Sequence, residues 1–521
     1  MAVARLQDCV IWRTTASLRD VPEHFDVVIV GAGMSGVGCA YYLQRQLPRK
    51  RYVILEAREN IGGTWDLFKY PGIRSDSDVS TFAYDFKPWP TDQVIASGPE
   101  ILDYIHTTAR ENGIDHRIRT GHRVAAAAWR SEDARWVLDI ERGGGETVQI
   151  SCNWLFGGTG YYRYDEGYTP ELPGIERFHG PVIHPQKWPE DLDYAGKRVV
   201  VVGSGATAVT LIPALARDAA QITMLQRSPS YIMSIPSVDP LLKRWRERFG
   251  PRRAHRLARL KNYAIQDTIY QFCQRFPNRA AALLRHLVAR QLPPGYPVDI
   301  DFRPTYGPWD QRLCLVPDGD LFKAMRDGKA SVETGTIETV TEGGVRLRSG
   351  RELEADIIIT ATGLQLLPFG GIQMNVDGHA VTPPETVAFR GVMLSGIPNF
   401  VFVIGYTTRS WTMKLGLVAD YFCRLLAHMD THGYVRCVPE LPAGEMETRP
   451  LLEFPAGYIL RSLDKLPRQG NRPPWNLPMS HLVNGRQLRL APITDPNLHF
   501  SGTGMVLPVP EVEVPVAGTA A

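Results

Sequence analysis

The chain is poor in the features that mark several large protein classes. Its seven cysteines (Cys9, Cys39, Cys152, Cys273, Cys314, Cys423, Cys437) are odd in number and scattered, and no Cys-x-x-Cys pair occurs. That argues against a disulfide framework or a zinc site, so no metal is expected, and it favours reduced thiols in a cytoplasmic compartment. No uninterrupted apolar stretch approaches the ~20 residues of a spanning helix. The first residues lack a basic region followed by an apolar run, so secretion is not expected either. Charge of one sign is also missing. Lysine and arginine number 58 against 55 acids, a net charge of +3, which leaves no global electrostatic case for a nucleic-acid partner.

What is present points to nucleotides. At 521 residues and roughly 150 residues per domain, about three domains are expected. Phe25 to Val30 is an apolar run feeding into Gly31-Ala-Gly33-Met-Ser-Gly36, after which Val37, Ala40 and Leu43 suit the buried face of a helix. Glycines there allow a tight turn, close approach of backbone to a pyrophosphate and tight packing of helix on strand, while the helix start offers free N–H groups. The next strand ends at Glu56, about 20 residues on, where a carboxylate can accept hydrogen bonds from ribose hydroxyls.

A second unit opens with Arg198 to Val202 and Gly203-Ser-Gly205-Ala-Thr-Ala208, alanine being tolerated at the third glycine position. Its next strand ends in Gln226-Arg227 where an NAD-binding unit carries an acid. Arg227 there suits the 2′-phosphate of NADPH. The predicted fold is α/β: two Rossmann-like dinucleotide-binding domains with a helical insertion. Three β-like runs between His122 and Trp154 read as a meander. From about Tyr231 to Tyr306, Leu242, Trp245, Phe249, Leu257, Leu260 and Ala264 fall at helical spacing, predicting a buried face. Lys243, Arg244, Arg246, Arg248, Arg252, Arg253, Arg256, Arg259 and Lys261 make the other face basic. Such a face is either the solvated side of a cap or a weak contact with a membrane surface.

Between the glycine motifs lies Phe178-His-Gly180-Pro-Val-Ile-His184-Pro-Gln-Lys-Trp188-Pro189. The loop after the first unit reads Gly63-Thr-Trp65, then Tyr70-Pro-Gly72-Ile-Arg-Ser-Asp76. The spacing Phe-x-Gly-x-x-x-His-x-x-x-Trp-Pro resembles the fingerprint of the Baeyer-Villiger monooxygenases, class B flavoproteins, and Gly-Gly-x-Trp with Tyr-Pro-Gly-x-x-x-Asp resembles their second signature. The likeness runs from about Phe25 to Trp475 and is strongest to the ethionamide-activating branch. It implies bound FAD, NADPH as reductant, and a C4a-peroxyflavin that inserts one oxygen atom of O2 into ketones or, as an alternative, oxygenates sulfides, thioamides or nitrogen. By that resemblance Trp65 lies against the flavin and Asp76 is the active-site carboxylate, although Asp76 would also serve as a helix N-cap. Arg312 matches the arginine that stabilises the oxygenated flavin. Gln311 and Leu313 depart from the Lys-Arg-Pro run around it. His184 is expected to couple conformations rather than transfer protons, and Trp411, Lys414 and Trp475 are candidates for a substrate cavity.

The expected units are 1–160 and 371–505 for FAD, 161–230 and 307–370 for NADPH, 231–306 for the insertion, and a loose tail at 506–521. A flavin disulfide reductase would need a cysteine partner near Cys39. A non-catalytic NADPH-binding sensor is the remote alternative.

Overall fold

The computed structural model describes residues 23–311, 313–407 and 409–502. Arg312 and the tail at 506–521 therefore lie outside the described residues. The β-branched run His24–Val30 forms a parallel strand whose Val27, Val28 and Ile29 are wholly buried. Tyr52–Leu55 pairs along one side of it and Thr147–Gly157 along the other. His122–Arg130 and Arg135–Arg142 extend this sheet as an antiparallel meander. Two later segments rejoin the sheet: Gln373–Val376 beside His122–Arg130, and Phe400–Phe402 beside Thr147–Gly157. Helices Met34–Gln46 and Thr412–His432 share one apolar cluster with the sheet, through Val37 and Leu43 of the first and Leu415, Val418 and Phe422 of the second.

The second sheet is five-stranded and parallel, in the order Ala330–Thr334, Gln221–Gln226, Arg198–Val202, Ile357–Thr360, Val182–Ile183. Its last strand comes from the middle of the fingerprint, with Val182 opposite Ile358. The second sheet therefore takes its edge strand from the stretch before Arg198, which a two-residue strand without periodic signal did not reveal in the sequence. What crosses between the sheets is a pair of antiparallel segments. Arg163 N–H donates to Gln365 O at 2.9 Å, Leu367 N–H to Tyr161 O at 2.9 Å and Tyr168 N–H to Gly363 O at 3.0 Å.

The insertion is bracketed by Ile232–Ile235 and Cys314–Pro317, which pair in parallel. Its long helix, Pro240–Arg275, is broken at Gly250 (φ 76°, ψ 166°) before Pro251. The break resets the phase of the helix and overturns the expected buried face. Leu242 is buried and Trp245 packs beside it. Beyond the break, however, Ala254, His255 and Ala258 turn inward, while Leu257 and Leu260 are 40% and 66% exposed. Three residues of the expected basic face are likewise turned inward. Arg246 pairs with Asp92 at 2.9 Å, Lys261 with Asp239, and Arg259 donates to the carbonyls of Ser80, Thr81 and Ala83. No helix among the described residues is long and apolar enough to cross a membrane.

Candidate active site

Both glycine motifs open onto one cleft of about 1590 Å³. Gly31, Gly33, Glu56, Trp65 and Asp76 line it from the first unit, and Gly203, Gly205 and Arg227 from the second. Gly36 and Ala208 do not line it; they pack the helix behind it. A Cβ on Gly36 would sit 1.9 Å from Gly31 O, so only glycine permits that helix to approach its strand so closely. Gly203 adopts φ +133°, and a Cβ there would lie 2.3 Å from Ala361 O. Gly33 and Gly205 are N-caps without a side-chain cap, and neither helix has an acid in its first turn. Nothing lies within 4 Å of a Cβ at Gly205. Uncapped N–H groups beside open space are what a pyrophosphate requires, so the residues present fit FAD at the first cradle and NADPH at the second.

Glu56 is 5% exposed. Its carboxylate accepts from Ala32 N–H at 2.7 Å and Arg58 N–H at 3.0 Å. Burial still raises its pKa against these hydrogen bonds, and each oxygen keeps a lone pair for a ribose hydroxyl. At the second cradle Gln226 is committed internally, donating to Asp301 O and Thr334 Oγ1 at 2.7 and 2.9 Å. The next residue, Arg227, is exposed at the cleft wall.

The N-cap role weighed for Asp76 falls to Asp78, which accepts from Thr81 N–H at 3.0 Å. Asp76 is left on the cleft wall. Sequence reading missed Asp78 as the anchor of this loop, because two of its partners come from the insertion helix: Asn262 donates to it at 2.7 Å and Gln266 at 2.5 Å. Arg74, two residues before Asp76, pairs with Asp320 of the second unit at 2.5 Å. The loop carrying Asp76 is thus held from the insertion and from the second unit at once.

Of the three cavity candidates only Trp411 lines the cleft. Its indole stacks on Tyr161 at 4.8 Å and its N–H donates to Ser35 Oγ at 3.3 Å. Trp475 is a core residue against Phe389, 2% exposed. Lys414 lies one turn into its helix with its back to the cleft, fully buried, and donates to Gly391 O at 3.2 Å. Burial lowers its pKa to about 7. Because the folded value is depressed, the stability linked to this group is complete above the unfolded value of about 10.4. It is lost as pH falls toward about 7. Lys414→Met should therefore raise stability by on the order of 3 kcal/mol near pH 7 and below, with the gap closing toward alkaline pH. Thermal unfolding of both proteins across that range tests this; a gap that does not change with pH would rule out a strained ammonium.

The fingerprint lies beside the cleft and grips the crossing segments. His184 Nδ1 accepts from Gln186 N–H at 3.2 Å, which leaves Nε2–H to donate to Gly363 O at 3.1 Å. Burial lowers its pKa, so the ring is neutral. Buried Gln186 donates to Arg163 O and Tyr164 O at 2.9 and 3.1 Å. A Cβ on Gly167 would lie 1.9 Å from the imidazole. Phe178 packs against the core around Val340, and a Cβ on Gly180 would meet Asp356 O at 2.1 Å. Trp188 packs on the second unit, and Pro189 follows it, half-buried.

Residues 28–249 match the family described as pyridine nucleotide-disulphide oxidoreductase. The six described cysteines are buried and none forms a disulfide with another, and burial drives the Cys39 thiol well up, so the dithiol chemistry in that description has no counterpart among the described residues. The chain is 52% identical over 480 residues to the FAD-containing monooxygenase EthA of Mycobacterium tuberculosis, covering 92% of this chain and 98% of the relative. It is 50% identical over 480 residues to EthA of Mycolicibacterium smegmatis, covering 92% and 97%. In fold it is similar to an oxidized steroid monooxygenase bound to NADP, with a TM-score of 0.67, 22% identity and coverage of 80% of this chain and 87% of that one. With two nucleotide cradles converging on one cleft and relatives at this identity along nearly the whole chain, the protein belongs to the class B flavin monooxygenases of the EthA type, enzymes dependent on FAD, NADPH and O2.

Proposed function

We propose that this chain transfers one oxygen atom of O2 to soft sulfur centres, sulfides and thioamides, in small molecules, with ketones as a second substrate class. The observation that carries the order is the turn before Cys314. Where the resemblance leads one to expect a lysine and a proline around Arg312, Gln311 lines the cleft and Leu313 is buried. A turn with one cation fewer stabilises developing negative charge less. Sulfur reacts through its lone pair and forms no anionic carbonyl adduct, so the loss bears more heavily on ketones. What supports the ketone reaction is the fingerprint, matched at Phe178, Gly180, His184, Trp188 and Pro189.

When bound, FAD accepts hydride from NADPH and activates O2. The residues of the chain do the rest. Units 1–160 and 371–505 hold FAD, with Gly31, Gly33 and Gly36 shaping its cradle, Glu56 on the ribose and Trp65 against the ring system. Units 161–230 and 307–370 hold NADPH, with Gly203, Gly205 and Ala208 shaping the second cradle and Arg227 on the 2′-phosphate. Residues 231–306 cover the Asp76 loop. Asp76 orients Arg312, Trp411 closes the apolar side of the cleft, and His184 keeps the crossing segments in place so that water is excluded while the nucleotides are aligned.

Incubating the purified enzyme with NADPH, ¹⁸O2 and a panel of a sulfide, a thioamide and ketones, with H2O2 assayed in parallel, tests this. Expected are S-oxides carrying one labelled atom, formed faster than esters. Esters alone would reverse the order, and protein without FAD, or NADPH oxidised only to H2O2 on every substrate, would favour a sensor. Arg227→Ala should raise the KM for NADPH by about ten- to a hundredfold, as loss of a charge-assisted contact does, and leave the KM for NADH unchanged. Equal changes for both nucleotides would remove Arg227 from the phosphate site.

A further inference from the structure

We propose that the outward face of the insertion helix docks on an anionic phospholipid surface. Residues 240–290 hold thirteen lysines and arginines against two acids, Glu247 and Asp267, in a chain whose net charge is only +3. The positive charge of the molecule is therefore segregated into this insertion, and the rest is acidic on balance. The fold then sorts the insertion's cations. Arg246, Arg259 and Lys261 are used internally, whereas Arg252, Arg253, Arg256 and Arg275 are exposed.

Between these cations the helix turns apolar side chains outward. Leu257 and Leu260 stand 40% and 66% exposed, with Ile265 and Phe272 at 48% and 37%. Beyond the Gly250 break, Arg253, Leu257, Leu260, Ala264 and Arg275 recur at three- and four-residue steps or their multiples, which puts them along one side of the helix. Their opposite side, through His255, Ala258 and Cys273, is buried. None of the outward residues lines the cleft, so nothing in the nucleotide site accounts for their exposure.

Leucine between arginines on one helix side is the composition that partitions into a headgroup layer. The apolar side chains reach below the phosphates while the guanidiniums pair with them. An acidic protein partner would use the charge without requiring the exposed leucines. A second copy of this chain would bring arginine against arginine across a symmetric contact. The combined pattern therefore selects the lipid.

The test is co-sedimentation of the full-length holoenzyme with phosphatidylcholine vesicles, with and without phosphatidylglycerol. Binding is expected only with phosphatidylglycerol and should weaken with added salt. Arg252→Gln, Arg253→Gln and Arg256→Gln combined should lower partitioning roughly a hundredfold. Leu257→Ser with Leu260→Ser should abolish it, both variants keeping FAD content and turnover of a water-soluble sulfide. If the leucine variant does not fold, the arginine variant alone decides. No preference for the anionic vesicles overturns the proposal. So does a wild-type mass by light scattering that falls in the variants while vesicles bind neither protein, which would assign the face to a second copy.

Discussion

Replacing Arg312 with alanine is expected to leave NADPH oxidation near wild type while ester formation from ketones falls by about a hundred- to a thousandfold, the usual effect of removing one preorganised stabiliser of developing negative charge. The electrons should appear instead as H2O2. The sulfide reaction should fall much less, since attack by a sulfur lone pair builds up no carbonyl oxyanion. Gln311 and Tyr306 both line the cleft, as does Asp76, whose loop Asp78 and Arg74 hold at two points. Product analysis with H2O2 detection separates the outcomes. Retained ester formation would remove Arg312 from oxygen transfer, and equal loss of sulfoxide and ester would undo the distinction between the two substrate classes. Asp76→Asn should follow the same pattern more weakly if its role is to orient that guanidinium.

Replacing His184 with alanine is expected to cut coupled turnover by about ten- to a hundredfold, with FAD content unchanged and most NADPH diverted to H2O2. The imidazole touches neither cradle. It reaches from the edge of the second sheet to Gly363 O, the same carbonyl that accepts Tyr168 N–H at 3.0 Å. One ring therefore holds both segments that join the sheets. Losing it frees the two nucleotide units to settle slightly out of register, and a displacement of about 1 Å between reacting groups can cost on the order of a hundredfold. Gly167→Ala supplies an independent check, because its methyl would occupy the space of the ring without altering the histidine. It should reproduce the uncoupling of His184→Ala. If His184→Ala uncouples and Gly167→Ala does not, the ring acts through its proton rather than its position. Full coupled turnover in both would end the coupling role.

The cradles were legible because their signals are local. A strand, three close glycines and a helix are fixed by sterics over a dozen residues, and the acid or arginine that follows is set by the length of one strand and one helix. The insertion shows where such reading fails. Periodicity placed Leu257 and Leu260 inside, assuming one uninterrupted helix, yet the Gly250-Pro251 break shifts the phase and turns them out. Trp475 and Lys414 failed for a related reason: an aromatic or a lysine carries no mark of which wall of a helix or loop will meet the cleft.

By itself the sequence determined that this protein has two dinucleotide units, that the second suits NADPH, and that its signatures resemble those of flavin monooxygenases, since each follows from residue type at short spacing. Only the tertiary structure decided that Asp78, not Asp76, caps its helix and meets Gln266 at 2.5 Å from 188 residues away. Only it showed that the fingerprint histidine joins two segments nearly 200 residues apart, with Gly167 leaving room for its ring. Such contacts depend on how separate units pack. The hydrogen bond that selects a partner acts over about 3 Å in space and leaves no trace in the order of residues along the chain.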